Sequence, residues 1–158
     1  MPSGATPWKE DRKAPLGLTA FVRGFYVKSA WDNEEKQYAQ RKFLSGTVQG
    51  WINSDNSQQF ISIARFANPK GAQSAHNDLV DALTQDVSKN ETKVTDPVDQ
   101  GAGIADSQPD SLGNDEVDLC AQVGDYLVDV HEYTARTPDP DAAAELLRQQ
   151  VAVLKKSR

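Results

Sequence analysis

The stretch YLVDVHEYTA, residues 126–135, places His131 two positions beyond Asp129. On an extended strand that spacing puts an imidazole and a carboxylate on one face. Such a neighbour pair is the minimum for acid–base work near neutral pH. The lone cysteine, Cys120, lies in the preceding alternating segment EVDLCAQV, on the outward face with Asp118 and Gln122. A Cys120, His131 and Asp129 set can therefore be drawn on neighbouring strands, as a cysteine-type hydrolase would need. The electrostatics oppose it. A nucleophilic thiol wants a helix N-terminus or a cationic neighbour, whereas Asp118, Asp129 and Glu132 would raise its pKa. An exposed pair or a cross-strand hydrogen bond is the simpler reading of His131 and Asp129. The second histidine, His76, sits in RFANPKGAQSAHNDLV one position off a helical apolar stripe, beside Asn77 and Asp78, and reads as a boundary residue.

Other chemistries find less support. The GAG at 101–103 does not open a helix, so it is no phosphate loop, and no HExxH is present. The acids Asp96, Asp99, Asp106, Asp110 and Asp115 lack the register and closing Glu of a calcium loop. One cysteine permits neither an internal disulfide nor a cysteine-based zinc site. The expectation is no catalytic residue, no metal site and no cofactor. NET at 90–92 matches a glycosylation sequon, which matters in a eukaryotic secretory host alone.

Composition bounds the partners. The chain has 158 residues, 38% of them hydrophobic, and a formal charge of −6. Its isoelectric point is near 4.9 and its mean hydropathy is −0.62. That is one domain with a thin core. The acidic balance argues against nucleic acid, which needs a basic stripe. No segment approaches the length of an apolar membrane span. Charge is uneven: residues 1–42 hold eight Lys and Arg against five acids, while 86–118 hold nine acids against Lys89 and Lys93.

The elements that would position these residues follow from periodicity. Residues 1–15, with Pro2, Pro7 and Pro15, read as a flexible leader, and 16–158 as a single domain. Leu18, Phe21, Val22 and Phe25 recur at helical spacing, giving an N-terminal helix. Two alternating runs then form a hairpin: FLSGTVQGWI, with Leu44, Val48 and Ile52 opposed to Phe43 and Trp51, and QQFISIARFA, apolar on both faces and so central. Asn68 and Pro69 start a helix that buries Ala72, Ala75, Leu79, Leu83 and Val87. The plan repeats. EVDLCAQV turns at GD into YLVDVHEYTA, and Thr137-Pro138 or Asp139-Pro140 starts a helix burying Ala143, Leu146, Leu147, Gln150, Val153 and Leu154. Residues 88–115 read as a long polar acidic connection, with TKVTDPV as an edge strand. The expected fold is α+β: an antiparallel sheet of about five strands, built from two β-turn-β-helix units, with an additional N-terminal helix.

The order FLSGTVQGWI, FISIARFANPKGAQSAHNDL, VDLCAQVGDYLVDVHEYTA and AAELLRQQVAVL resembles small actinobacterial extracytoplasmic domains. These are lipoprotein and sensor-like domains of the PsbP-like or Mog1-like α/β-sandwich type, and the resemblance covers residues 17–156. It implies a secreted or membrane-tethered, non-catalytic domain that binds an apolar small molecule, a lipid or a protein partner. It carries over no functional residue by position. On the residues themselves, Phe21, Phe25, Tyr26, Phe43 and Trp51 would line an apolar pocket. The alternative is a protein-interaction module that docks through its outer sheet face or its acidic 88–115 loop, with Trp8, Asp106 and Asp110 as contact residues.

Overall fold

The computed structural model describes residues 4–8, 12–84, 91–96, 101–106, 115–134 and 139–157. Among the described residues eight strands form one antiparallel sheet, where about five were expected. The two long hairpins are its centre. β3 (Phe43–Ile52) pairs with β4 (Gln58–Phe66), β4 with β8 (Tyr126–Thr134), and β8 with β7 (Asp115–Val123). Each hairpin turns where the sequence carries a residue tolerant of positive φ, Asn56 at 68° and Gly124 at 60°. The apolar character of both faces of β4 is explained by its place between β3 and β8.

The extra strands come from segments read as irregular. β1 (Thr6–Pro7), inside the expected leader, and β2 (Arg12–Leu16), which crosses its end, pair along the free edge of β3. β5 (Glu91–Asp96) and β6 (Gly101–Asp106) lie inside the supposed 88–115 connection and extend the sheet beyond β7. β5 is the edge strand expected from TKVTDPV; β6 was missed because GAGIAD offers small residues rather than branched ones.

The expected N-terminal helix is present, and the helical run that holds it is interrupted. It breaks into α1 (Leu18–Phe25), a 3₁₀ turn at Lys28–Ala30 and α2 (Trp31–Gln40). After Phe25 the backbone of Tyr26 is extended at ψ 153°, and the Trp31 indole N–H donates to the Tyr26 carbonyl at 2.8 Å. That bond satisfies the carbonyl acceptor the break leaves behind. Helix α3 (Pro69–Thr84) opens with the Asn68 side chain accepting from the Gly71 N–H at 3.1 Å. Of the two proposed starts for α4 (Pro140–Lys156), Asp139-Pro140 is used: the Asp139 carboxylate accepts from the N–H groups of Asp141 and Ala142. Thr137 and Pro138, like Val87, Asp99 and Asp110, lie outside the described residues.

Helices cover both faces of the sheet's centre. On one, α4 buries Ala143, Ala144, Leu147 and Val151 against Ile61, Val117, Leu119, Ala121, Val128 and Val130. Of the expected stripe, Ala143 and Leu147 are buried and Leu146 and Leu154 pack against this core, Ala144 and Val151 join them, and Val153 is exposed. On the other face, α1, α2 and α3 bring Phe21, Val22, Tyr38, Ala72 and Ala75 onto Val48, Ala64, Phe66, Cys120 and Leu127. The chain is therefore a three-layer α/β/α arrangement, and the outer sheet face once offered for docking carries helices.

Candidate functional site

Strand register assembles the site on the face beneath α1 and α3. His131 on β8 stands directly opposite Asp118 on β7 and opposite Phe60 on β4. Asp129, two residues earlier, shares that face and pairs with Cys120. Glu116 lies one step diagonally from His131, within reach of a long side chain. Three carboxylates thus converge on one imidazole. Asp118 Oδ2 is 3.1 Å and Glu116 Oε1 3.4 Å from His131 Nδ1, and Asp129 Oδ2 is 2.9 Å from Nε2. The Asp118 side chain is 4% exposed, that of Asp129 1% and that of His131 14%. Oδ1 of Asp118 and Oδ1 of Asp129 have no hydrogen-bond partner.

Burial by itself would push the His131 imidazole down. The charges of Asp129 and Asp118, with hydrogen bonds to Asp129 and Glu116, outweigh it and hold the pKa well above the ordinary value. Asp118 is driven well above the carboxylate range, first by burial and then by the Asp129 charge, which the His131 charge opposes. The physical picture is an imidazolium held among carboxylates, with the buried Asp118 carboxyl pushed towards its neutral form. Aromatic rings hold it from both sides: Phe25 meets His131 edge-on at 5.4 Å between centroids and Tyr133 stacks on it at 6.3 Å.

Above this floor opens a cavity of about 640 Å³. Its walls are Trp8, Phe25, Tyr26, Phe60 and Tyr133, with Val48 from β3, Leu79 from α3, and Gly24 and Val27 at the end of α1. Asp118 and His131 also line it. The end of α1 and the residues just after it, Gly24 to Val27, form one side of the cavity. Val27, 71% exposed, marks its rim. Tyr26 and Tyr38 share a hydrogen bond at 3.1 Å, and burial raises both phenols, so the wall stays uncharged.

The expected pocket residues separate. Phe25 and Tyr26 line the cavity. Phe21 does not: it is 1% exposed, packed against Phe25, Tyr38 and Phe43, and its ring covers Gly46, where a Cβ would lie 2.2 Å from it. Phe43 belongs to the same aromatic cluster and meets Phe66 at 6.1 Å. Trp51 is corrected outright. It lies on the opposite, α4 face, with its indole N–H donating to Gln59 Oε1 at 2.9 Å. The cause is an irregularity between Phe43 and Ser45, which pairs Phe43 with Phe66 and Ser45 with Arg65. Leu44 becomes the extra residue of a bulge, so Phe43 and Trp51, of equal parity in sequence, point to opposite faces.

The expected partner contacts change as well. Trp8 lies folded onto the domain, its backbone N–H bonded to the Gly50 carbonyl at 2.9 Å and its ring edge-on to Phe60 at 4.3 Å. Asp106 belongs to β6, where its carboxylate accepts from the Glu116 N–H at 2.9 Å; Asp110 is outside the described residues. The cysteine reading fails on chemistry. Cys120 is fully buried, its Sγ is 3.5 Å from the Ala102 carbonyl, and burial together with Asp129 and Asp118 pushes the thiol far up. His76 is half-buried on α3, its imidazole lowered by burial.

No protein-family model matches the chain, and no curated protein matches it. Among solved structures it is similar to the extracellular domain of PknH from Mycobacterium tuberculosis. The two superpose with a TM-score of 0.57 over 95% of this chain and 86% of that one, at 15% sequence identity. At that identity the likeness is one of fold, and the fold it shows carries no PsbP or Mog1 assignment. No helix among the described residues is long and apolar enough to cross a membrane.

Proposed function

We propose that the chain is a non-catalytic, extracytoplasmic binding domain that takes a small apolar or amphipathic molecule between α1, α3 and the sheet. The observation that carries this reading is the cavity of about 640 Å³ with its wall of aromatic rings. It falls in the usual range for small-molecule sites, about 300–1,000 Å³, and joins apolar walls to a few convergent polar groups, as such sites do. The fold likeness to an extracellular domain supports the extracytoplasmic part. The absence of an activated nucleophile at Cys120 supports the non-catalytic part.

The test is titration with N-phenyl-1-naphthylamine, a neutral probe that fluoresces in apolar surroundings. Saturable enhancement is expected, with a Kd on the order of 10–100 μM. Leu79→Trp fills the cavity from the α3 side and is expected to weaken probe binding at least tenfold while leaving the melting transition cooperative. Enhancement that never saturates, or that is the same in Leu79→Trp, contradicts the reading.

A further inference from the structure

We propose that Glu116, Asp118 and His131 form a binding site for a divalent first-row transition cation, of the Zn²⁺ class, at the floor of the cavity, with Asp129 orienting the imidazole. Three observations carry it. First, the three ligand atoms lie within 4.8 Å of one another. The two distances from His131 Nδ1, 3.1 and 3.4 Å, suit a tetrahedral centre, whose bonds of about 2.0 Å space the ligand atoms by about 3.3 Å. Second, Asp118 is 4% exposed and lines the cavity, and beside the Oδ2 that faces His131 Nδ1 its buried Oδ1 has no hydrogen bond of ordinary geometry. A buried oxygen left so is costly unless something fills its lone pairs.

Third, the imidazole is already placed for metal ligation. A cation binding at Nδ1 displaces that nitrogen's proton to solvent and leaves the one on Nε2, whose hydrogen bond Asp129 Oδ2 is placed to accept at 2.9 Å. A ligating histidine whose other nitrogen donates to a carboxylate is the usual arrangement around protein-bound transition ions. One imidazole and two carboxylates suit Zn²⁺, Co²⁺ or Mn²⁺ better than Ca²⁺, which takes six to eight oxygens. Three protein ligands leave at least one coordination position, and the cavity is the open side of the site. The inference stands on these side chains and does not require that the cavity take an apolar ligand.

The experiment uses the metal alone. The full chain is freed of metal with a chelator and titrated with Co²⁺, followed by visible absorption, and Zn²⁺ is then added. The expected result is saturation at one Co²⁺ per chain and loss of the bands when Zn²⁺ displaces it. Glu116→Gln and Asp118→Asn should each weaken binding at least tenfold, and Asp129→Asn about 10–100-fold. Because Glu116 is one-third exposed, its variant keeps the test meaningful if the buried substitutions unfold the chain. No Co²⁺ spectrum with the wild type, or one unchanged in Glu116→Gln, overturns the proposal. Since the naphthylamine probe needs no metal, either reading can fail without the other.

Discussion

His131→Leu is expected to lower the unfolding free energy by about 3 kcal/mol, measured by urea denaturation in the presence of chelator. The substitution roughly keeps the volume and leaves the Phe25 and Tyr133 rings a surface to pack on. What it removes is the one positive charge among Glu116, Asp118 and Asp129, whose carboxylates lie 3.4, 3.1 and 2.9 Å from its nitrogens. Two of those carboxylates are almost wholly buried. Left alone in a dry site, they must take up protons or repel one another. The converse variant separates charge from shape. With Asp118, Asp129 and His131 all replaced by Leu, most of the loss should be recovered, because apolar groups of similar size have no charge to desolvate. A His131→Leu cost below about 1 kcal/mol would mean that the imidazole is not what balances the carboxylates.

Gly103→Ala is expected to cost about 3 kcal/mol, at the upper end of overpacking penalties. β6 runs so close to β7 at this point that a Cβ would sit 1.7 Å from the Asp118 carbonyl oxygen and 3.0 Å from the Leu119 Cα. Those are backbone atoms of a central strand and have nowhere to move. The chain can yield only by drawing β6 away, which loses its pairing from Ala102 to Ala105 with β7 and tilts Asp118 in the cavity floor. Amide hydrogen exchange should therefore show β5 and β6 losing protection before β3, β4 and β8. A cost below about 1 kcal/mol would mean that the two strands are less tightly apposed.

This glycine shows what a sequence reading can and cannot reach. GAG at 101–103 opens strand β6 and no helix, so it has no phosphate-loop context. Its structural use, close approach of two backbones, leaves no trace in hydrophobic period, so β6 was read as irregular chain. The long hairpins were legible because Val117, Leu119, Ala121 and Val123 alternate strictly, as do Val128 and Val130. The helices after them were legible because Asn68 and Asp139 precede prolines. Positions on strands were predictable only while alternation held: the bulge at Leu44 was enough to send Trp51 to the far face.

The candidate site was half legible. His131 and Asp129 share a face by their spacing, and Phe25 and Tyr26 stand out in an aromatic-rich helical run. Glu116 and Asp118 joined them only through strand register, which places Asp118 opposite His131. The outward assignment of Cys120, Asp118 and Asp129 was right in parity and wrong in exposure, since α1 and α3 cover that face. The walls Val48, Phe60, Leu79 and Tyr133 come from four elements, and no local pattern marks residues that meet only in space.

The claim that the cavity is the binding site is tested most directly by mapping where the neutral naphthylamine probe lands. Two-dimensional amide NMR of the labelled chain, recorded along the titration, gives that location residue by residue. The account predicts saturable shifts concentrated at Gly24–Val27, Phe60, Leu79 and His131–Tyr133, with the exposed apolar side chains Leu44 and Val153 unaffected. Shifts centred on Leu44 or Val153, or none at the cavity walls at saturating probe, would contradict it.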